Sequence, residues 1–397
     1  MKKLSRAVSK LKPEEAFIYL SKALKLKEQG RDVISFGIGQ PDFSPPRHLI
    51  ELAKKALNDG YSGYGPSLGL PELREAIAEF LNESYRTDIK PEEVMVTVGA
   101  KTAVFMGIIS LVEPGDEVLI PDPGYPLYES AIRYAGGKPV FVPLNEKENF
   151  RLSYESFAEK INERTKMIIL NYPQNPTGST LEEKDVRDIL EEAERRGIVI
   201  MSDEIYDRYS YDAPHFPTIS YEGWRNLLYY VNGFSKTFAV TGWRVGYLVT
   251  NRELIEKLET VANNIYSCPV TFVQKALADA LEEGINWFKP IFEEFKARRD
   301  IIYEELNKLK GVRCVKPKGA FYTFPDVKGI QEMAKARDTV ELVERMLYET
   351  GVLALPGEAF PGNLSKGHLR FSFALPRERI REGIDRIRRW IEAFKTS

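Results

Sequence analysis

The chain carries one lysine in a setting built for chemistry. Residues 233–247 read G-F-S-K-T-F-A-V-T-G-W-R-V-G-Y, so Lys236 follows Ser235 and precedes a Gly-flanked arginine, Arg244. A lysine amine condenses with an aldehyde to give an imine, the chemistry that an amino-group carrier requires. The guanidinium of Arg244 offers a planar fork of donors suited to an anionic group.

Three further stretches hold groups that could work on the same ligand. Asp203, in S-D-E-I-Y, follows the β-branched run Ile198–Ser202. Open α/β sheets bind ligands at the carboxyl ends of their strands, which is where such an aspartate lies. Residues 171–178 read N-Y-P-Q-N-P-T-G. Two X-Pro steps and a glycine dictate a fixed, non-helical turn that can aim the Asn175 amide. Val98-Gly99-Ala100-Lys101-Thr102 precedes an apolar helix expected over Ala103–Leu111. The amides of Ala100 and Lys101 at that helix start would cradle an anion, with Ser235 and Arg244 as side-chain partners. No glycine stands upstream of Gly99 where a Walker loop needs one. Gly37-Ile38-Gly39 is followed by Asp42 where a dinucleotide fingerprint needs glycine.

Taken together, S-K-x-F-x-x-x-G-x-R-x-G, N-P-T-G and D-x-x-Y resemble the motifs of class I/II pyridoxal-phosphate (PLP) aminotransferases, aspartate aminotransferase-like, over Gly39 to Arg370. The resemblance implies fold type I: an α/β large domain with a mostly parallel seven-stranded sheet, and a smaller α/β domain made from both chain ends. It implies PLP as cofactor and Lys236 as the Schiff-base and catalytic lysine. Asp203 would keep the pyridine nitrogen protonated, because a carboxylate within hydrogen-bond reach raises the pKa of a cation. Asn175 and Tyr206 would bond O3′ of the ring, and Tyr125, in P-D-P-G-Y-P-L-Y, would stack on it. Tyr64, in Y-G-P-S-L-G, would reach the phosphate of a neighbouring subunit, which makes the expected assembly a homodimer with shared active sites. Arg370, in H-L-R-F-S-F, would grip the substrate α-carboxylate with help from Asn175 and the Gly39 backbone. In animal-type aspartate aminotransferases a histidine lies three residues after the stacking aromatic; here that place is Tyr128.

The implied reaction moves the amino group of an L-amino acid to a 2-oxo acid, 2-oxoglutarate being the expected acceptor. Lys236 would carry the Cα proton as general base and acid. Aspartate, alanine and aromatic amino acids all remain donors. No cation lies in Asn263-Asn264-Ile265-Tyr266-Ser267, where dicarboxylate-specific enzymes draw an arginine from the partner, so Lys101 or residues around Phe17–Tyr19 are the alternatives. A PLP β-lyase would use nearly the same residues. A non-catalytic ligand-sensing homologue would need an attached DNA-binding module, for which a start at Met1 leaves no room.

Positioning these groups falls to an alternation of short β-branched runs and helical patterns, which argues for a largely parallel sheet. Strands are expected at Val118–Ile120, Met167–Leu170, Val199–Met201, Tyr229–Val231 and Val245–Val249. Val186, Ile189, Leu190 and Ala193 repeat at helical spacing with Gly197 as C-cap. The segment Pro13–Gly30 reads as a helix leading to a strand at Val33–Phe36. The other end shows a helix near Trp287–Leu309, strands near Ala320–Phe324 and Leu369–Phe373, and a last helix striped by Ile380, Ile384, Ile387, Ile391 and Phe394. The expected division is an arm at 1–45, a large domain at 46–283 and a small domain at 284–397.

Bulk properties agree with that scale. A chain of 397 residues exceeds the usual size of a single core. Lys+Arg at 56 against Asp+Glu at 58 excludes a global pull toward nucleic acid or anionic membrane. Cys268 and Cys314 lack metal-ligand spacing and suggest a reducing compartment. His48, His215 and His368 are scattered, so no metal site is expected. Met1 to Lys12 has no apolar signal core and no apolar run reaches membrane-spanning length, so a cytoplasmic enzyme is expected.

Overall fold

A computed structural model describes residues 4–394; the ends of the expected arm and small domain, 1–3 and 395–397, lie outside them. Twelve strands run in chain order as β1 (Ile34–Ser35), β2 (Val94–Thr97), β3 (Glu117–Asp122), β4 (Lys138–Pro143), β5 (Thr165–Asn171), β6 (Val199–Asp203), β7 (Leu228–Gly233), β8 (Gly246–Val249), β9 (Tyr322–Thr323), β10 (Val352–Leu353), β11 (Leu355–Pro356) and β12 (Leu369–Ser372). Seven of them form the central sheet in the order β2-β8-β7-β6-β5-β3-β4. Within it only β8 runs antiparallel to its neighbours. Apart from Lys166 and Val199 near the starts of β5 and β6, its inner strands are buried, as expected where helices cover both faces.

All five strands expected in this region are present. The two that sequence reasoning did not find, β2 and β4, are the edges of the sheet. β4 contains Pro139 and Pro143, which weaken its strand signal because proline cannot donate to a ladder and suits an edge position. The helix expected over Ala103–Leu111 begins earlier, at Ala100. Gly99, with φ +80°, turns the chain out of β2 and straight into the helix, so Lys101 and Thr102 belong to its first turn. Gly197 ends the Glu183–Arg196 helix in the left-handed region, as expected.

Strand register aligns the site. Asn171 pairs with Asp203 and Asp203 with Val231, so the carboxyl ends of β5 and β6 finish level and β7 runs two residues beyond them to Gly233. The segments that leave those ends carry Asn175, Tyr206, Ser235 and Lys236.

The two ends of the chain meet beside this edge. β1 pairs in parallel with β10, and the Ser372 amide donates to the Phe36 carbonyl at 2.8 Å. β12 lies between β11 and β9 in a separate antiparallel sheet. The expected strand at Ala320–Phe324 is shorter, Tyr322–Thr323, because Ala320 adopts a positive φ of 52°. Arg298 of the Phe288–Asn307 helix holds Asp42 at 2.6 Å and so anchors the segment after Gly39. Of the expected stripe on the Arg377–Ala393 helix, Ile380, Ile384, Ile387 and Ile391 are buried, and Phe394 packs on Trp390 just past its end. Among the described residues no helix is long and apolar enough to cross a membrane.

β8 packs closely against the start of the Ala100–Leu111 helix. A Cβ at Gly246 would come within 2.3 Å of the Ala100 amide nitrogen. Gly246→Ala is therefore expected to cost about 1–3 kcal/mol through overpacking against backbone. Denaturant unfolding of the cofactor-free protein reads this as a lower midpoint; an unchanged midpoint would contradict the geometry.

Candidate active site

Lys236 lies in the irregular segment between β7 and β8, and its amine donates to the Gly39 carbonyl at 2.7 Å. Burial, then the positive charges of Arg370 and Arg244, lower the amine from its ordinary 10.5 to about 8. Glu14 opposes that shift and Lys101 adds to it. Near neutral pH the unprotonated, nucleophilic fraction of this lysine is thus far larger than that of an ordinary lysine. The Tyr206 ring centroid is 5.8 Å from the amine and that of Phe321 is 6.0 Å away.

Asp203 is buried at the end of β6. Its carboxylate accepts from the Tyr128 hydroxyl at 2.7 Å and more weakly from the Ile205 amide at 3.4 Å. Burial nevertheless raises it to about 6, since those two donors offset only part of the desolvation. A cation placed against it would hold it ionised. Tyr128 stands where the animal-type pattern has histidine, and its hydroxyl supplies the supporting donor.

Arg370, on β12, is almost wholly buried. It donates to Asn175 Oδ1 at 2.9 Å and to the Gly37 carbonyl at 2.5 Å, and lies 4.4 Å above the Tyr322 ring. Its Nε has no partner among the described residues, so a buried donor is left over for a ligand. Asn175 is itself fixed by its backbone N–H donating to Asn171 Oδ1 at 3.2 Å.

The anion cradle forms where Gly99 and Gly246 meet. A Cβ on Gly99 would reach 2.4 Å from an Arg244 Nη, so the guanidinium stands directly over the start of the Ala100–Leu111 helix. Arg244 has φ +59° and donates to the Thr241 carbonyl at 2.9 Å. Ala100 and Lys101 occupy the first turn, where helical amides lack intrahelical partners. Ser235 is buried in the segment that also holds Lys236.

Tyr125 packs edge-on against Tyr128 with centroids 5.6 Å apart, and its hydroxyl donates to both Glu14 carboxylate oxygens at 3.3 Å. Tyr206 shares a 2.7 Å hydrogen bond with Tyr322. Tyr64 stands apart from all of these, 93% exposed within the single chain. Gly39 was expected to offer its amide to a carboxylate; what it presents to Lys236 is its carbonyl.

Two residues of this cluster escaped sequence reasoning. Tyr322 touches both Tyr206 and Arg370, and its hydroxyl would stand 1.9 Å from any Cβ at Gly39. Glu14, just before the Glu15–Glu28 helix, pairs with Lys101 and Tyr125 at the mouth. Tyr322 sits in an ordinary aromatic strand and Glu14 in a Lys-Pro-Glu-Glu helix start, so neither carried a local signal.

The residues present fit PLP: a buried amine with a lowered pKa, a carboxylate at a strand end, a glycine-lined anion cradle under an arginine, and an arginine with an unused donor. Comparisons with known proteins agree. A family model described as aminotransferase class I and II matches residues 31–387. An aspartate aminotransferase of Sulfurisphaera tokodaii is 40% identical, covering 99% of this chain and 98% of its own. An aromatic-amino-acid aminotransferase of Thermococcus litoralis is 37% identical over 99% of each. The solved aspartate aminotransferase of Thermus thermophilus with maleate superposes with a TM-score of 0.92 at 36% identity, covering 98% of this chain and 100% of that one.

The Tyr128–Asp203 bond gives a direct test of the electrostatics. Tyr128→Phe removes a donor that favours the ionised carboxylate, so the Asp203 pKa is expected to move further up from about 6. A carboxyl-carbon NMR titration of the cofactor-free protein checks the direction. An equal or lower value in the variant would contradict it.

Proposed function

This chain belongs to the class I and II aminotransferases, with fold type I, PLP as cofactor and amino transfer from an amino acid to a 2-oxo acid as its reaction, and from that premise we propose how its own residues divide the work. When bound, PLP supplies an aldehyde for amines to condense with and an electron-poor ring that stabilises negative charge at a substrate Cα. Lys236 is proposed as the attachment residue and then as the proton carrier at the substrate Cα. The observation that carries this assignment is the buried amine, lowered to about 8 and flanked by Arg370 and Arg244.

Asp203 would face the ring nitrogen, and its burial supports a charge pair that excludes water. Tyr206 and Asn175 would contact the ring oxygen, with Tyr322 orienting the Tyr206 hydroxyl. Tyr125 would cover the ring face. Ala100, Lys101, Ser235 and Arg244 would hold the phosphate. Arg370 would exchange its bonds to Asn175 and the Gly37 carbonyl for the substrate carboxylate, with its unused Nε as a further donor. Gly39 would stay a backbone contact beside that carboxylate.

The near-complete exposure of Tyr64 supports a homodimer in which this ring enters the partner's phosphate site. We propose a division into an arm at 1–45, a large domain at 46–283 and a small domain at 284–397; the pairing of β1 with β10 supports drawing the first segment toward the last. Two free cysteines and balanced charge support a cytoplasmic setting. Aspartate, alanine and aromatic amino acids are the proposed donors, the first and last in keeping with the names of the relatives, and 2-oxoglutarate is the proposed acceptor.

A spectral titration of the holoenzyme with single amino acids tests the reading. The visible cofactor band should bleach with the true donors and return on adding 2-oxo acids. Pyruvate and ammonia released from cysteine-type substrates without any oxo acid would instead favour an eliminating enzyme. Lys236→Ala is expected to lose at least roughly 10²–10⁴-fold in turnover, and hydride reduction followed by peptide mass spectrometry should find the cofactor adduct at position 236 in the wild type alone.

The Lys236 amine also sets a pH dependence. Only its neutral form attacks an aldehyde, and the folded protein brings that form in at about pH 8 instead of above 10. The rate at which the cofactor-free protein takes up PLP should rise with pH and level off above about 8. A rate still climbing steeply at pH 10 would contradict the proposed environment of the amine.

A further inference from the structure

Away from the active site, Glu146, Asp326 and His368 converge. One ligand atom from each lies within 4.8 Å of the others. Glu146 opens the single helical turn Glu146–Glu148 after β4, while Asp326 and His368 face each other through an antiparallel bridge. His368 is 2% exposed. Its ring stacks on Phe324 at 5.0 Å with a 7° tilt and meets the edge of Phe150 at 6.0 Å, so its orientation is fixed.

The tautomer follows from its neighbours. Nδ1 lies 3.2 Å from the Lys366 carbonyl, which can only accept, so Nδ1 carries the hydrogen. Nε2 of the neutral ring is then a bare lone pair. It is buried, has no hydrogen-bond partner among the described residues, and lies 3.7 Å from Glu146 Oε1. A lone pair aimed at carboxylate oxygens calls for a cation between them. Burial of the ring lowers the His368 pKa, which works against a proton filling that role.

We propose that Glu146, Asp326 and His368 form a binding site for a divalent transition-metal ion, zinc being the one that best suits an imidazole with two carboxylates. The Nδ1 bond to a backbone carbonyl is the support that metal-ligating histidines ordinarily have. Zinc bonds of about 2.0–2.2 Å put neighbouring ligand atoms roughly 3.4 Å apart, so the three must draw in by about 1 Å. Glu146 stands on a short surface turn that allows it, while Asp326, whose backbone is held in a bridge, turns only its side chain. Two cations now neutralise them: Arg313 pairs with Glu146 and approaches Asp326 at 4.0 Å, and Lys328 pairs with Asp326 at 3.0 Å. Both side chains are more than half exposed, so such pairs contribute little and the chains can swing into water. The bound ion would tie the loop after β4 to the strand that carries Arg370.

The test uses holoenzyme dialysed against a chelator, loaded with zinc and dialysed again. Elemental analysis should find about one zinc per chain, and zinc should raise the thermal midpoint. Glu146→Gln with Asp326→Asn spares the buried ring and should weaken zinc affinity at least tenfold and abolish the shift. Loading with cobalt should give visible ligand-field bands that the same double variant loses. No retained zinc in the wild type, or equal retention and equal shift in the double variant, overturns the proposal.

Discussion

The bond from Lys236 Nζ to the Gly39 carbonyl joins the β7–β8 segment to the strand-like stretch that the N-terminal part lays across the sheet edge. That stretch is held there by Arg298 on Asp42, by β12 on Phe36 and by Arg370 on Gly37. Removing a lysine from water disfavours its charge, and two nearby guanidinium groups disfavour it further. The amine is tolerated because one carbonyl takes a donor and because Glu14 returns some negative field. The reactivity of the site therefore depends on segments far apart in the chain being packed together.

Asp203 shows the opposite balance at the other pole. Burial drives its carboxyl up while Tyr128 and a backbone amide drive it down, and the carboxyl settles at about 6. A phenol in place of a histidine still donates, because Tyr128 is itself buried and stays protonated. The support is thus a hydrogen bond in a dry environment, which one aromatic residue can give as well as another of different chemistry.

At the mouth, Glu14 neutralises Lys101 and touches Tyr125, while Lys101 lies over the rings of Phe17 and Tyr125 at 5.6 and 5.7 Å. The N-terminal helix therefore brings its own carboxylate to a lysine in the first turn of the Ala100–Leu111 helix. Phe17 is largely exposed, so this lip of the site is apolar as well as charged.

What the sequence determined alone is the part that rests on local rules. Short β-branched runs marked the five inner strands, a glycine marked a helix end, and the proline-rich turn and the lysine segment marked the proposed cofactor residues by type and order. Of the edge strands β2 and β4, which did not stand out, β4 carries two prolines that weaken a strand signal. Tertiary structure decided the rest. Tyr322 became a site residue only when β9 came to lie beside β12, Glu14 only when its helix reached Lys101, and His368 met Glu146 only across packed loops. These pairings are long-range contacts between residues of ordinary type, and nothing within a few positions of any of them determines which surface will face it.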